Sequence, residues 1–224
     1  MSDSPRPTAP PREVPAVATP DTSPPANSPP PGERALGWLL LVGGLTGFAA
    51  AFTLMVEKLE LLKDPTYTPS CSLNPILNCG SVMKTDQAEL FGFPNPLIGI
   101  AAFPVLAATG VALIGGARLS RPYWLGLQAG VTLAAGFVVW LIFQSLYRIG
   151  ALCPYCMIVW AVVLPVFVYV TSHNASSGVL GRGLSASPVV QALASWRITI
   201  VTAAALFMVT LVLEQFWYYW RTLI

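Results

Sequence analysis

The sequence predicts an all-α membrane protein, a four-helix transmembrane bundle followed by a fifth transmembrane helix. Three observations carry that expectation. Its 224 residues are 54% hydrophobic and only 10% charged, whereas a soluble domain carries about 25% charged residues. Mean hydropathy is +0.64. The few charges punctuate long apolar runs, and in lipid such runs must be helices, because a helix satisfies its own backbone polar groups. A net charge of +2 argues for no nucleic-acid or acidic partner; the expected surrounding is the lipid bilayer.

The chain opens on a different kind of polymer. Residues 1–33 hold 11 of the 21 prolines and almost no bulky apolar side chain. Such a segment cannot bury enough surface to offset its conformational entropy, so a disordered, locally polyproline II tail on the cytoplasmic side is expected. It lacks the charged-then-apolar pattern of a cleaved signal peptide. A solubilising tail is the plain reading, and a docking segment for a proline-recognising partner the sharper one.

Charge-free runs able to cross roughly 30 Å of hydrocarbon follow in order. They are Leu36–Val56, Pro96–Ala117, Tyr123–Tyr147, a run from the Cys153/Cys156 pair to about Thr171, and the shorter Ile198–Leu213. The aromatic string Phe216 to Trp220 after Glu214 suits an interface belt. Residues 34–172 form the expected four-helix bundle, including an outer loop over 57–95; 173–197 form a cytoplasmic loop and 198–224 the fifth helix with the C-terminus. With the N-terminus inside, Arg6, Arg12, Arg34, Arg118, Arg121, Arg182 and Arg197 lie inside, and Lys58, Lys63, Lys84, Arg148 and Arg221 outside. That bias favours a cytoplasmic N-terminus in a bacterial inner membrane. In either orientation Cys71, Cys79, Cys153 and Cys156 emerge on one face. With the N-terminus inside, that face is extracytoplasmic, where disulfides persist.

Cys153-Pro154-Tyr155-Cys156 opens the fourth run. Its first cysteine falls at a helix start, where free backbone N–H groups favour a thiolate, and Pro154 suits the first helical position. Cys156, three residues on, stays on the same helical face within bridging reach. The tetrapeptide matches the glutaredoxin motif, but that fold needs a soluble strand–helix context, which a membrane helix does not provide. Zinc is disfavoured because Cys71 and Cys79 have Cys-x7-Cys spacing. Purely structural disulfides remain the main alternative, in a non-catalytic scaffold or transporter. Cys71 and Cys79 sit in the long 57–95 loop, and loops of that length are usually functional. Two pairs on one face suggest a relay: an outer mobile pair exchanges with a substrate and an inner fixed pair with an electron carrier. The sequence carries no flavin, haem or nucleotide motif, so the natural two-electron carrier in the lipid is a quinone.

The ordered pattern is Cys-x7-Cys in the first loop, a hydroxyl residue six positions later, then Cys-x-x-Cys opening the fourth helix. Over roughly Leu36 to Thr171 this resembles the vitamin K epoxide reductase family in its bacterial form. DsbB-type proteins carry the two motifs in the reverse order. The resemblance implies a membrane thiol–quinone oxidoreductase that forms disulfides. In that reading Cys71 and Cys79 are the shuttle pair, Cys153 and Cys156 the active-site pair, and Cys156 the sulfur that meets menaquinone or ubiquinone. Thr85 matches the family's supporting hydroxyl, and Asn95 its asparagine that hydrogen-bonds a quinone oxygen. An ordinary loop hydroxyl and a helix cap are their plainer readings. Trp160 stands where animal members have a tyrosine. Its indole offers only an N–H donor, so quinone reduction is expected rather than epoxide reduction, with Trp160 stacking on the ring or simply packing. Many bacterial members end in a thioredoxin-like domain. None follows the fifth span here, so the expected partner is a separate extracytoplasmic thioredoxin-like or DsbA-like protein. His173 is expected in a solvated inner loop, beside the apparent glycosylation sequon Asn174-Ala175-Ser176.

Overall fold

The computed structural model describes residues 31–221. The tail therefore lies outside the described residues, except for Pro31, Gly32 and Glu33, which open the first helix. Proline at a helix start loses no hydrogen bond, and an early glutamate complements the helix dipole, so α1 (Pro31–Lys63) begins ahead of its apolar run. α2 (Cys79–Met83) and a 3-10 turn (Asp86–Glu89) fill the first loop. α3 (Pro96–Ile114), α4 (Arg121–Gln144) and α5 (Pro154–Ser176) follow. The short α6 (Arg182–Ser185) and α7 (Pro188–Ser195) then lead into α8 (Arg197–Gln215) and a closing turn, α9 (Trp217–Trp220). Five helices (α1, α3, α4, α5 and α8) are long and apolar enough to cross a membrane, and no strand occurs among the described residues. This is an all-α, multi-pass membrane protein.

With 33 residues, α1 is about 50 Å long at 1.5 Å per residue. It overshoots the roughly 30 Å hydrocarbon layer, so its last turns stand beyond the lipid as a post for the first loop. α1 packs most extensively on α3, then on α5, and α4 packs on α5, whereas α3 and α4 barely touch. The α1–α3 contact depends on missing side chains. A Cβ at Gly110 would lie 2.4 Å from the Leu41 backbone nitrogen, and one at Gly44 would lie 2.6 Å from that of Ala107. Such close backbone approach is how transmembrane helices associate without a hydrophobic driving force between them.

At its far end α4 widens into a π turn (Ser145–Ile149) and stops at Gly150, whose φ of 68° is left-handed. The chain then runs extended through Leu152, which forms an isolated parallel bridge with Leu77. Leu152 N–H donates to Ile76 O at 2.8 Å and Asn78 N–H to Leu152 O at 2.9 Å. This bridge ties the first loop to the residue before Cys153.

The His173 expectation needs correcting. α5 continues through Ser176, so His173 is helical and half-buried, its ring 4.4 Å from that of Trp124. The neighbouring Asn174 is fully buried and donates to Trp124 O and Gln128 Oε1. Those bonds give the helix a polar anchor inside the bundle, which a hydropathy scan cannot register, and they place the sequon's amide out of reach of any modification. α6 and α7 lie within the rest of the stretch read as a loop.

Candidate active site

All four cysteines gather at the end of the bundle where α1 and α4 finish and α3 and α5 begin. Asn78 has extended backbone angles and caps α2, its Oδ1 accepting from Ser81 N–H. Cys79 is thereby the first residue of a short, fixed helix. Cys71 and Cys79 are joined as a disulfide. Cys153, at the N-cap of α5, and Cys156, one turn further, are free thiols. Cys153 Sγ lies 3.2 Å from Cys79 Sγ. Each of Cys71, Cys79 and Cys153 is buried, and Cys156 is half-buried.

A thiol–disulfide exchange needs the attacking sulfur next to the sulfur attacked and a route to its thiolate. The first is present in the 3.2 Å contact. For the second, the Cys156 thiol's hydrogen bond, acting against burial, holds the Cys153 thiol below its ordinary value, helped by the first-turn N–H groups of Tyr155 and Cys156. The sulfurs of Cys71, Cys79 and Cys153 also lie within 4.8 Å of one another. With all thiols reduced, these are the residues that could hold a soft cation; with Cys71 and Cys79 joined, only Cys153 of the three offers a free thiol. The sequence argument against zinc rested on spacing along the chain, which says nothing of this grouping in space.

Behind the sulfurs opens a cavity of about 560 Å³, within the range of small-molecule sites. Cys153, Cys156, Trp160, Thr85, Asn95 and Lys58 line its sulfur end, and Tyr123, Gly126 and Gly130 line its far end. The walls are overwhelmingly apolar. Of the candidate site residues, Thr85, Asn95, Cys153, Cys156 and Trp160 line this cavity, and the Cys71–Cys79 pair adjoins it through the Cys79–Cys153 contact. Asn95 occupies the N-cap position of α3, yet its side chain makes no capping bond. Its Nδ2 instead donates to Gln87 O, and its buried Oδ1 has no hydrogen-bond partner among the described residues. Thr85 Oγ1 donates to Val82 O. Trp160 is buried in the main core as well as facing the cavity.

The family model described as the vitamin K epoxide reductase family matches residues 38–171. The chain belongs to that family. The matched stretch contains α2 to α4, most of α1 and α5, and all four cysteines. Membership makes this chain a membrane thiol–disulfide oxidoreductase, of a family that uses quinones. No curated protein matches the chain.

Two buried charges beside the site escaped the sequence reading. Glu57 and Lys58 looked like the polar end of the first span, but both are buried, at 7% and 8% exposure. Lys58 Nζ donates to Met83 O at 2.8 Å and pairs with Glu89 Oε1 at 2.8 Å. Glu57 accepts from Tyr67 Oη, Ser70 N–H and Ser70 Oγ. The available signal was their position: opposite charges side by side, just before a loop too long to be a plain connection.

Proposed function

We propose that this family member generates disulfide bonds, taking electrons from an extracytoplasmic thioredoxin-like or DsbA-like dithiol and passing them to a quinone. One observation carries the reading: the free Cys153 sulfur rests 3.2 Å from Cys79 of the opposite pair. A staple-only role accounts for Cys71–Cys79, but not for two free thiols placed against it and a cavity.

The exchange balances as follows. A partner thiolate attacks the Cys71–Cys79 disulfide at Cys71, releasing the Cys79 thiolate, and the partner's second thiol resolves the mixed disulfide. The partner leaves oxidised and the loop holds two thiols. Cys79 then attacks Cys153 of an oxidised Cys153–Cys156 pair, breaking that bond and releasing Cys156 as thiolate. Cys71 resolves the Cys79–Cys153 bond. The result is the state seen in the structure, with the outer pair oxidised and the inner pair reduced.

A quinone (menaquinone or ubiquinone) supplies the acceptor for two electrons and two protons. The cavity fits one in three respects: it is apolar, it borders Cys156, and its lining includes Asn95, whose buried Oδ1 has no hydrogen-bond partner among the described residues. That oxygen is an acceptor for a hydroxyl, and the second hydrogen of Nδ2 a donor for a carbonyl. Thr85 and Trp160 complete the polar and aromatic edge.

The deciding experiment reduces the full chain anaerobically, adds menaquinone or ubiquinone, and maps the disulfides. Expected are quinol formation and return of the Cys153–Cys156 bond, both abolished in Cys156→Ala. Full reoxidation of that variant by quinone would overturn the assignment.

A further inference from the structure

Both residues of the outer disulfide are buried as folded: Cys71 is 5% exposed and Cys79 0%. A protein partner can reach Cys71 only if part of the loop lifts. The two arms of the loop are held very differently. The Cys79 arm is fixed to the rest of the site by the Leu77–Leu152 bridge, by the Asn78 cap and by Lys58, which grips Met83 O at the end of α2. The Cys71 arm shares an apolar cluster with Leu54 and Leu61 of α1, and its polar tie to α1 is Glu57. Its carboxylate accepts the N–H and hydroxyl of Ser70, the residue before Cys71, and the hydroxyl of Tyr67. Among the described residues, the other hydrogen bonds that leave this arm run to the Cys79 side and include Leu73 N–H and Asn74 N–H to Leu77 O, Ser72 Oγ to Asn78 Oδ1, Gly80 N–H to Ser72 Oγ and a 3.4 Å contact of Lys84 Nζ with Pro65 O.

A buried carboxylate is retained only where its acceptor sites are filled. Among the described residues, Glu57 is satisfied by the arm that must move, and Lys58, the next residue, by Met83 O and Glu89 beyond Cys79. Successive helical residues point about 100° apart at 3.6 residues per turn, so one turn of α1 can hold both arms separately.

We propose that Glu57 is the catch of the shuttle loop, a positioning residue that keeps Cys71 buried against Cys79 and must release for the partner dithiol to enter. Lys58 keeps Cys79 beside Cys153 while the arm is open. The inference rests on the thiol-exchange reading for its purpose, but its test does not depend on quinone chemistry. Release breaks hydrogen bonds only; the covalent step remains the partner's attack at Cys71.

The test uses the full chain with Cys153 and Cys156 replaced by serine, so that only the outer disulfide reports. Its opening by dithiothreitol is timed by maleimide mass-tagging. Glu57→Gln keeps the shape but removes the charge that makes these bonds strong, and should speed opening about tenfold. Tyr67→Phe, which removes one donor, should give a smaller increase. With the inner pair intact, single-turnover oxidation of pre-reduced Glu57→Gln by menaquinone should match the unmodified chain, an outcome that general misfolding would not give. Equal opening rates in Glu57→Gln, Tyr67→Phe and the parent overturn the catch, as does equal slowing of the quinone step. Should the unmodified chain fail to reduce menaquinone, the oxidoreductase reading falls, and the opening rates still judge the catch.

Discussion

Cys153 and Cys156 are the same residue type three positions apart, yet their surroundings give them different chemistry. Cys153 stands at the helix start with its sulfur against Cys79, while Cys156 lies one turn inward on the cavity wall. The Cys156 thiol stabilises the charged form of Cys153, so Cys153 ionises below the ordinary thiol value of 9.0. A lowered value means more thiolate at any given pH, and the thiolate is the nucleophile. The pH midpoint for alkylation of Cys153 by iodoacetamide should therefore lie below 9.0. In Cys156→Ala it should move upward, because the largest stabilising contribution is gone. A midpoint unmoved by that substitution would mean that the helix start alone sets the reactivity. Asn95 makes a similar point: its position suggested a cap, but its side chain turns to Gln87 O and leaves Oδ1 buried without a hydrogen-bond partner among the described residues.

Among the elements, α1 does two jobs that depend on different ends. Its apolar length meets α3 through glycines. Gly110 faces backbone atoms that cannot yield, with the Leu41 nitrogen 2.4 Å from where a Cβ would be. Gly110→Ala should cost about 1–3 kcal/mol by overpacking. Gly126→Ala, where a Cβ meets nothing within 4 Å, should be close to neutral. Thermal unfolding in detergent distinguishes the two, and equal melting temperatures would contradict the close α1–α3 packing. The protruding end of α1 carries Glu57 and Lys58, whose burial also bears on topology. Lys58 is neutralised by Glu89, so it is a poorer marker of the outer face than a free lysine. With it discounted, the arginine-weighted bias toward a cytoplasmic N-terminus grows.

For the whole molecule, the cysteines lie at one end of the bundle and the connection between α3 and α4 at the other, which yields an orientation test. In a chain lacking its native cysteines, Leu119→Cys should react with an impermeant maleimide only in inside-out vesicles. Ser81→Cys, at an exposed site in the outer loop, should react only in right-side-out ones. The opposite pattern would place the sulfurs in the cytoplasm and remove the oxidising compartment from the mechanism.

Fold class, the five spans and the grouping of the cysteines on one face were legible in the sequence. Each depends on short-range regularities: apolar length against bilayer thickness, and the parity of crossings between one cysteine and the next. Even there, the limits moved where polar residues found partners, as α5 did by running on through the buried Asn174. What the tertiary structure decided is which sulfur meets which. Cys79 and Cys153 are 74 positions apart, and their contact depends on the Leu77–Leu152 bridge and on the post that α1 raises above the lipid. The uses of Glu57 and Lys58 were decided there too. A charge at the end of an apolar run reads as a boundary, and only the folded loop turns it into a buried partner. Distances between groups far apart in sequence are set by packing, which no local pattern encodes.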